Sequence, residues 1–211
     1  AKSGQRHVQR PWLGAATQTV TSDLAASLNM DRPRGVMVRA MYHGGPADRA
    51  GMAVGDVILA LDGHDVASPK ALNFRLGTRR IGKSAKVKIW RNGKSRRVKL
   101  ALVSAPETPA RDITILKGRQ PLSGATVANL SPALGEELGL DTLASGVIIL
   151  KVERGSPARR FRFRKGDLIL QINDDKIKLV ENLVAALKSA GETWHVTMQR
   201  GGKTRTFRIG Q

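Results

Sequence analysis

Cysteine is absent from these 211 residues, which excludes disulfides, thiolate metal sites and a cysteine nucleophile while leaving the compartment open. Aromatic residues are scarce, at 4%. Acidic residues number 17 against 36 Lys and Arg. Hydrophobic residues make up 41% and are spread along the chain, with no apolar run near the roughly 20 residues of a membrane-spanning helix. The opening Ala1-Lys2-Ser3-Gly4-Gln5-Arg6 has neither the apolar core of a signal peptide nor an initiator Met, so the expectation is the cut end of a longer protein.

What is present in excess is positive charge. The formal net charge is +19, shared unequally: residues 1–104 hold 19 Lys and Arg against 6 acids, residues 105–211 hold 17 against 11. Such a field favours anionic partners, whether nucleic acid, lipid head groups or acidic protein surfaces. A well-solvated, Arg-rich surface is the plainer explanation.

The chain repeats itself at an offset close to 110 residues. Pro11-Trp12-Leu13-Gly14-Ala15 leads to Gly35-Val36-Met37-Val38, then Gly45-Pro46-Ala47, then Gly55-Asp56-Val57-Ile58-Leu59. Pro121-Leu122-Ser123-Gly124-Ala125 leads to Gly146-Val147-Ile148-Ile149, then Ser156-Pro157-Ala158, then Gly166-Asp167-Leu168-Ile169-Leu170. The proline-rich, small-residue stretch from Ser104 to Ala110 reads as a short, stiff linker. The expected organisation is a tail over 1–9, one domain over 10–104, a linker over 105–112 and a second domain over 113–211.

Within each copy, strands alternate with short helices. Thr21 or Ser22 caps a helix over about 23–29, Val36 to Met41 is β-prone, and Pro46 starts one helical turn that stops at Gly51. Asp62-Gly63 and Asn92-Gly93 are tight-turn dipeptides between apolar runs, and Ser68-Pro69 opens a helix through Leu76. In the second copy a longer helix runs from Leu179 to Ala190 and closes at Gly191. The expected fold class is α+β and mainly β: two domains, each a small curved antiparallel sheet or partial barrel capped by two helices.

The ordered blocks Trp12-Leu13-Gly14-Ala15, Gly45-Pro46-Ala47 with Ala50-Gly51-Met52, and Gly55-Asp56-Val57-Ile58 resemble the PDZ domain in its bacterial arrangement. The tandem resembles the C-terminal half of HtrA (Deg/Do-type) serine proteases, Arg10-Pro11-Trp12-Leu13-Gly14-Ala15 matching the start of their first PDZ domain. The resemblance covers about 10–104 and 113–211. It implies a periplasmic or envelope setting, a role in protein quality control, no cofactor, and four classes of partner: unfolded or C-terminal peptide segments, the protein's own protease domain, and sister subunits of a homo-oligomer, with nucleic acid or an anionic membrane less favoured.

PDZ domains resemble one another in taking a chain end as an added strand, its carboxylate seated on backbone N–H groups. By that resemblance Leu13-Gly14 forms the carboxylate loop, Arg10 adds charge, and Trp12, Ala15, Ala16 and Thr17 continue the site along a strand ending at Thr19. Pro69, Asn73 and Leu76, at helical spacing, form the opposite wall. The equivalent residues of the second copy are Leu122, Ser123, Gly124, Ala125, Val180, Val184 and Leu187. Ser123 stands where Leu13 supplies an apolar wall, so assembly is the role expected of the second domain.

No Gly-Asn-Ser-Gly or Gly-Asp-Ser-Gly nucleophile segment occurs. His7, His43, His64 and His195 fall in a tail, a turn, a hairpin and a late strand, which does not suit a catalytic triad. No activity of its own is expected for this chain; the parent is expected to be a serine endopeptidase. Asp62, His64 and Asp65 could be imagined around a metal, but Asp62-Gly63 is better used as a turn, and so are Asp56 and Asp167; no metal is expected. The alternative function is an anion-binding adaptor working through the basic hairpin 83–99. There alternation sends Val87, Ile89, Val98 and Leu100 inward and Lys86, Lys88, Trp90, Arg97 and Lys99 outward, so an exposed Trp90 flanked by cations could stack on a base or sit at a lipid surface.

Overall fold

A computed structural model describes residues 9–189, 191 and 193–210. His7 and Ala190 lie outside the described residues. The chain divides into two compact units at Ala105/Pro106, each with its own sheet.

The first unit runs β1 (Ala15–Thr19), α1 (Ser22–Ser27), β2 (Val36–Met41), α2 (Pro46–Arg49), β3 (Val57–Leu61), β4 (His64–Asp65), α3 (Pro69–Gly77), β5 (Ser84–Arg91) and β6 (Lys94–Ala101). The second runs β7 (Thr114–Ile115), β8 (Ala125–Asn129), α4 (Pro132–Leu138), β9 (Val147–Val152), α5 (Pro157–Arg160), β10 (Leu168–Ile172), β11 (Asp175–Lys176), α6 (Val180–Ser189), β12 (Thr193–Arg200) and β13 (Lys203–Gly210). Each unit is mainly antiparallel β, as expected, and its third helical piece is the single turn α2 or α5.

Helix starts follow local chemistry. Thr21 caps α1 by accepting the Leu24 N–H at 3.4 Å. The Ser-Pro pairs at α3, α4 and α5 repeat one device: the serine hydroxyl accepts an N–H of the first turn, while proline occupies the position whose N–H has no helical partner. The two-residue turns at Asp62-Gly63 and Asn92-Gly93 hold positive φ at both residues, the backbone that matches strand twist.

The first sheet has the order β1-β2-β3-β5-β6, with β4 against β3. The second has the order β13-β12-β10-β9-β8-β7, with β11 against β10. Strands β1 and β8 are equivalent, each pairing with the next strand through a bulge near its start. Among the described residues, only β8 carries a further strand on its outer edge.

Each sheet buries both faces. One face packs under α3 or α6, where Leu13, Val38, Ile58, Leu72, Leu76, Ile89 and Leu100 form the first unit's larger core. The other face gathers a smaller cluster beneath α1, including Val20, Ala25, Met30, Val57 and Leu59. Trp90 belongs to this cluster: it is half-buried and its indole N–H donates to the Leu28 carbonyl at 2.9 Å. The expectation of an exposed Trp90 is therefore corrected: Lys86 and Lys88 on the same side of β5 are exposed, but the Trp90 end of that side is packed under the end of α1.

Both units also contain an ion pair that a turn role for Asp56 and Asp167 does not include. Asp56, 1% exposed, accepts the Ala53 N–H at 2.8 Å, which is its turn role, and also two bonds of 2.6 Å from the Arg91 guanidinium. Arg91 in turn donates to the Gly51 carbonyl. Asp167 repeats the arrangement with the Arg164 N–H and Arg200, whose guanidinium also reaches the Arg162 carbonyl. The bond to its aspartate raises the pKa of each arginine further. Each pair ties the turn before β3 or β10 to the last residue of the long hairpin's first strand.

The stretch expected to be a linker is ordered by contacts inside the second unit. Arg111 makes bidentate bonds of 2.6–3.0 Å to both Glu107 and Glu137, and the Ser131 hydroxyl donates to Glu107 at 2.7 Å. The Arg111 bonds, with Ser131 adding to them, hold the Glu107 pKa below its ordinary value against a smaller opposing effect of burial.

Replacing Arg91 by Met should lower the stability of the first unit by about 3 kcal/mol, since it leaves the Asp56 carboxylate buried without a counter-charge. Chemical denaturation followed at Trp90 checks this, and a loss below about 1 kcal/mol would mean the pair behaves as a surface contact.

Candidate peptide-binding groove

The Leu13-Gly14 loop is built by bonds that use up its carbonyls. Trp12 leads in, its N–H donating to the Val103 carbonyl at 2.8 Å and its ring meeting Tyr42 edge to face at 5.2 Å. The Leu13 carbonyl accepts the Ala47 N–H at 3.0 Å, and the Gly14 carbonyl accepts the Tyr42 N–H at 2.9 Å. In a trans peptide the C=O and N–H point opposite ways, so anchoring the Leu13 carbonyl turns the Gly14 N–H away from α2. Among the described residues neither the Leu13 nor the Gly14 N–H has an acceptor. Gly14 sits at φ +72°, and a Cβ there would lie 2.8 Å from the Pro46 ring. Glycine is required on both counts.

Beyond the loop, β1 is an edge strand among the described residues, paired there only with β2. Ala15, Ala16, Thr17 and Gln18 are half-buried rather than covered. Helix α3 lies against β1 on the side of the larger core, with Leu72 and Leu76 buried beside Leu13 in one cluster. Pro69 is half-buried and Asn73 exposed. Arg10 is exposed, its side chain running within about 4 Å of the space above Gly77 at the end of α3. Sequence patterning does not single out Phe74, 74% exposed on the α3 face opposite Leu72 and Leu76.

The second copy places its corresponding residues alike but uses them differently. The Ser123 carbonyl accepts the Ala158 N–H at 3.1 Å and the Gly124 carbonyl accepts the Glu153 N–H at 2.9 Å, matching the first loop. Here, however, the Ser123 N–H donates to the Gln120 carbonyl and the Gly124 N–H to the Leu116 carbonyl, at 3.2 and 2.8 Å. Leu122, Ala125, Val180 and Leu187 are buried, and Val184 packs half-buried against the same cluster.

The residues weighed for other chemistry are occupied. Asp62 accepts the Lys86 N–H at 2.8 Å and pairs with Arg79, while His64 meets the Asp62 carbonyl through Nδ1. His43 is exposed and lies 3.4 Å from Asp48.

Comparison with known proteins accounts for the repeated loop, edge strand and helix. The PDZ domain family matches residues 11–102 and again 124–210. The chain belongs to the PDZ domain family. These tandem PDZ domains are 32% identical, over 97% of the chain, to a probable periplasmic serine endoprotease DegP-like of Pseudomonas putida (strain GB-1), of which they span 44%. A protein of the same description from Chlamydia muridarum is 32% identical over 92% of the chain and 38% of its own length. The PDZ tandem thus spans less than half of these curated relatives. Among solved structures, an HtrA-type protease AlgW with decapeptide aligns over 47% of this chain and 30% of its own, at 30% identity and a TM-score of 0.43.

Replacing Gly14 by Ala forces an L side chain into the left-handed region, which costs about 1–2 kcal/mol, and drives its Cβ into Pro46. Thermal unfolding should show the first PDZ domain lose at least that much. An unchanged transition would mean that the loop is not held as described.

Proposed function

We propose that the chain is the peptide-recognition part of an HtrA-type serine endopeptidase working in envelope protein quality control, with the first PDZ domain taking extended segments that end in a free, apolar residue. The observation that carries this reading is the pair of N–H groups on Leu13 and Gly14, left without acceptors at the head of an open edge strand. A carboxylate satisfies both, and such charge-assisted bonds are worth roughly 1.5–3 kcal/mol each where water is excluded. Leu13 and Leu76 supply the apolar floor, Ala15 to Thr17 the backbone ladder, and Pro69 and Asn73 the rim on α3. Arg10 adds positive charge outside. The relatives' description as periplasmic serine endoproteases supports the envelope setting and a protease domain in the same polypeptide; sister subunits are proposed as further partners.

A second reading, anion binding by the basic hairpin, has two observations behind it. Lys86 stands directly across from Lys99 and Lys88 across from Arg97. Like charges so placed cost stability, each pair on the scale of about 0.2–1 kcal/mol. Lys86, Arg97 and Lys99 also line a concavity of about 760 Å³ together with Asp62, Ser84 and Val98. Against it, Trp90 is half-buried against the cluster beneath α1, with its indole N–H held by the Leu28 carbonyl.

Amidating the C-terminus of a peptide ligand should weaken binding to the first PDZ domain about tenfold or more, the scale of one lost charge-assisted bond. Equal affinity of acid and amide in calorimetry would remove the carboxylate-loop assignment. Changing Lys86, Lys88, Arg97 and Lys99 to Gln should leave peptide affinity unaltered, and binding of the unchanged chain to anionic vesicles should fade by about 0.15 M salt. Vesicle binding that persists at that salt and disappears in the variant would favour the second reading.

A further inference from the structure

The second PDZ domain differs from the first at the one place where a ligand would add. Its β8 corresponds to β1, yet the outer edge of β8 is taken by β7 from the same chain, antiparallel, with Thr114 opposite Val127 and Ile115 opposite Thr126. The pairing continues beyond the named strand at both ends. The Leu116 N–H donates to the Ala125 carbonyl at 2.9 Å, and the Leu116 carbonyl accepts the Gly124 N–H at 2.8 Å. At the far end the Asn129 N–H donates to the Arg111 carbonyl at 2.6 Å. The Asn129 side chain donates to the Ala110 carbonyl and accepts the Val180 N–H, linking the added segment to the first residue of α6.

Leu116 is the telling residue. It is 4% exposed and belongs to the apolar cluster of Leu122, Ala125, Val180 and Leu187, with Val184 at its edge. Its carbonyl accepts the loop N–H whose counterpart in the first domain, that of Gly14, has no acceptor among the described residues. Ser123 leaves the loop without the wall that Leu13 provides, while Leu122, beside it in the chain, and Leu116 are both buried. Burial follows: β8 is buried at four of five positions, whereas β1 is half-buried or exposed throughout. The second PDZ match begins at 124, so the added segment precedes the part of the chain that the family accounts for.

We propose that residues 111–116 are a resident ligand of the second PDZ groove, with Leu116 in the terminal pocket, and that the groove is a latent site for apolar-ended peptides open only when this segment is displaced. The proposal rests on the reading of the loops as peptide-binding sites. The resident sequence Arg111-Asp112-Ile113-Thr114-Ile115-Leu116 itself describes the ligand class: extended, β-branched, and ending in leucine.

The test uses the whole chain labelled with ¹⁵N and a synthetic hexapeptide copying residues 111–116 with a free carboxylate. The Gly14 and Gly124 amide signals report the two grooves separately. In the unaltered chain the peptide should move Gly14 and leave Gly124 in place; in Leu116→Ala, Gly124 should respond with at least tenfold higher affinity than in the unaltered chain. Gly14 moving while Gly124 behaves alike in both proteins overturns the latent site but not the first groove. Gly14 silent with Gly124 responding in the variant overturns the first groove alone, and silence at both overturns both. Hydrogen exchange on the unaltered chain provides a check that needs no variant: the Gly124 amide should exchange at least tenfold more slowly than that of Gly14, and equal rates would overturn the resident strand.

Discussion

Everything at the first groove depends on one backbone bond, from the Ala47 N–H to the Leu13 carbonyl. It fixes the plane of the Leu13-Gly14 peptide, so the direction of the Gly14 N–H is set before any ligand arrives. Gly14 makes the bond geometrically available, because its positive φ brings the loop against Pro46 with no Cβ between. Pro46 in turn starts α2, the single turn that presents the Ala47 N–H. The second domain repeats the bond from Ala158 to Ser123, which is why two loops of different sequence, Leu-Gly and Ser-Gly, take the same form.

The buried aspartate-arginine pairs brace the turns that enter β3 and β10. Asp56 closes the turn before β3 and holds Arg91, the residue that precedes the Asn92-Gly93 turn; Asp167 and Arg200 do the same before β10 and Gly201-Gly202. Such a pair is expensive to desolvate, but the Ala53 N–H and Gly51 carbonyl satisfy what remains of the first, and the arginines keep partial contact with water.

Much of this is legible in the residues. The repeat, the Ser-Pro helix starts, the Asp-Gly and Asn-Gly turns and the loop glycines each carry a local physical signal, and local signals survive without knowledge of the fold. Trp90 is misplaced by alternation because that pattern describes one sheet face against solvent, whereas α1 covers part of the second face, including Trp90, a fact set by tertiary packing. The Asp56–Arg91 pair spans 35 positions and the cover of β8 involves residues that composition alone marks as linker. Its one local hint is the β-prone Ile113-Thr114-Ile115-Leu116 next to a proline-rich stretch.

Strand β7 has a kinetic and thermodynamic corollary. A segment joined to its groove by the eight residues Lys117 to Gly124 is present there at an effective concentration in the millimolar range. A free peptide at micromolar concentration competes at a disadvantage of about a thousandfold, or roughly 4 kcal/mol. If both loops take chain ends as proposed, the second groove would ignore dilute ends that the first still takes, and would fill only when such ends become abundant or arrive tethered nearby. Two copies of one domain, differing in whether their edge is covered, then read the same chemical feature on two concentration scales.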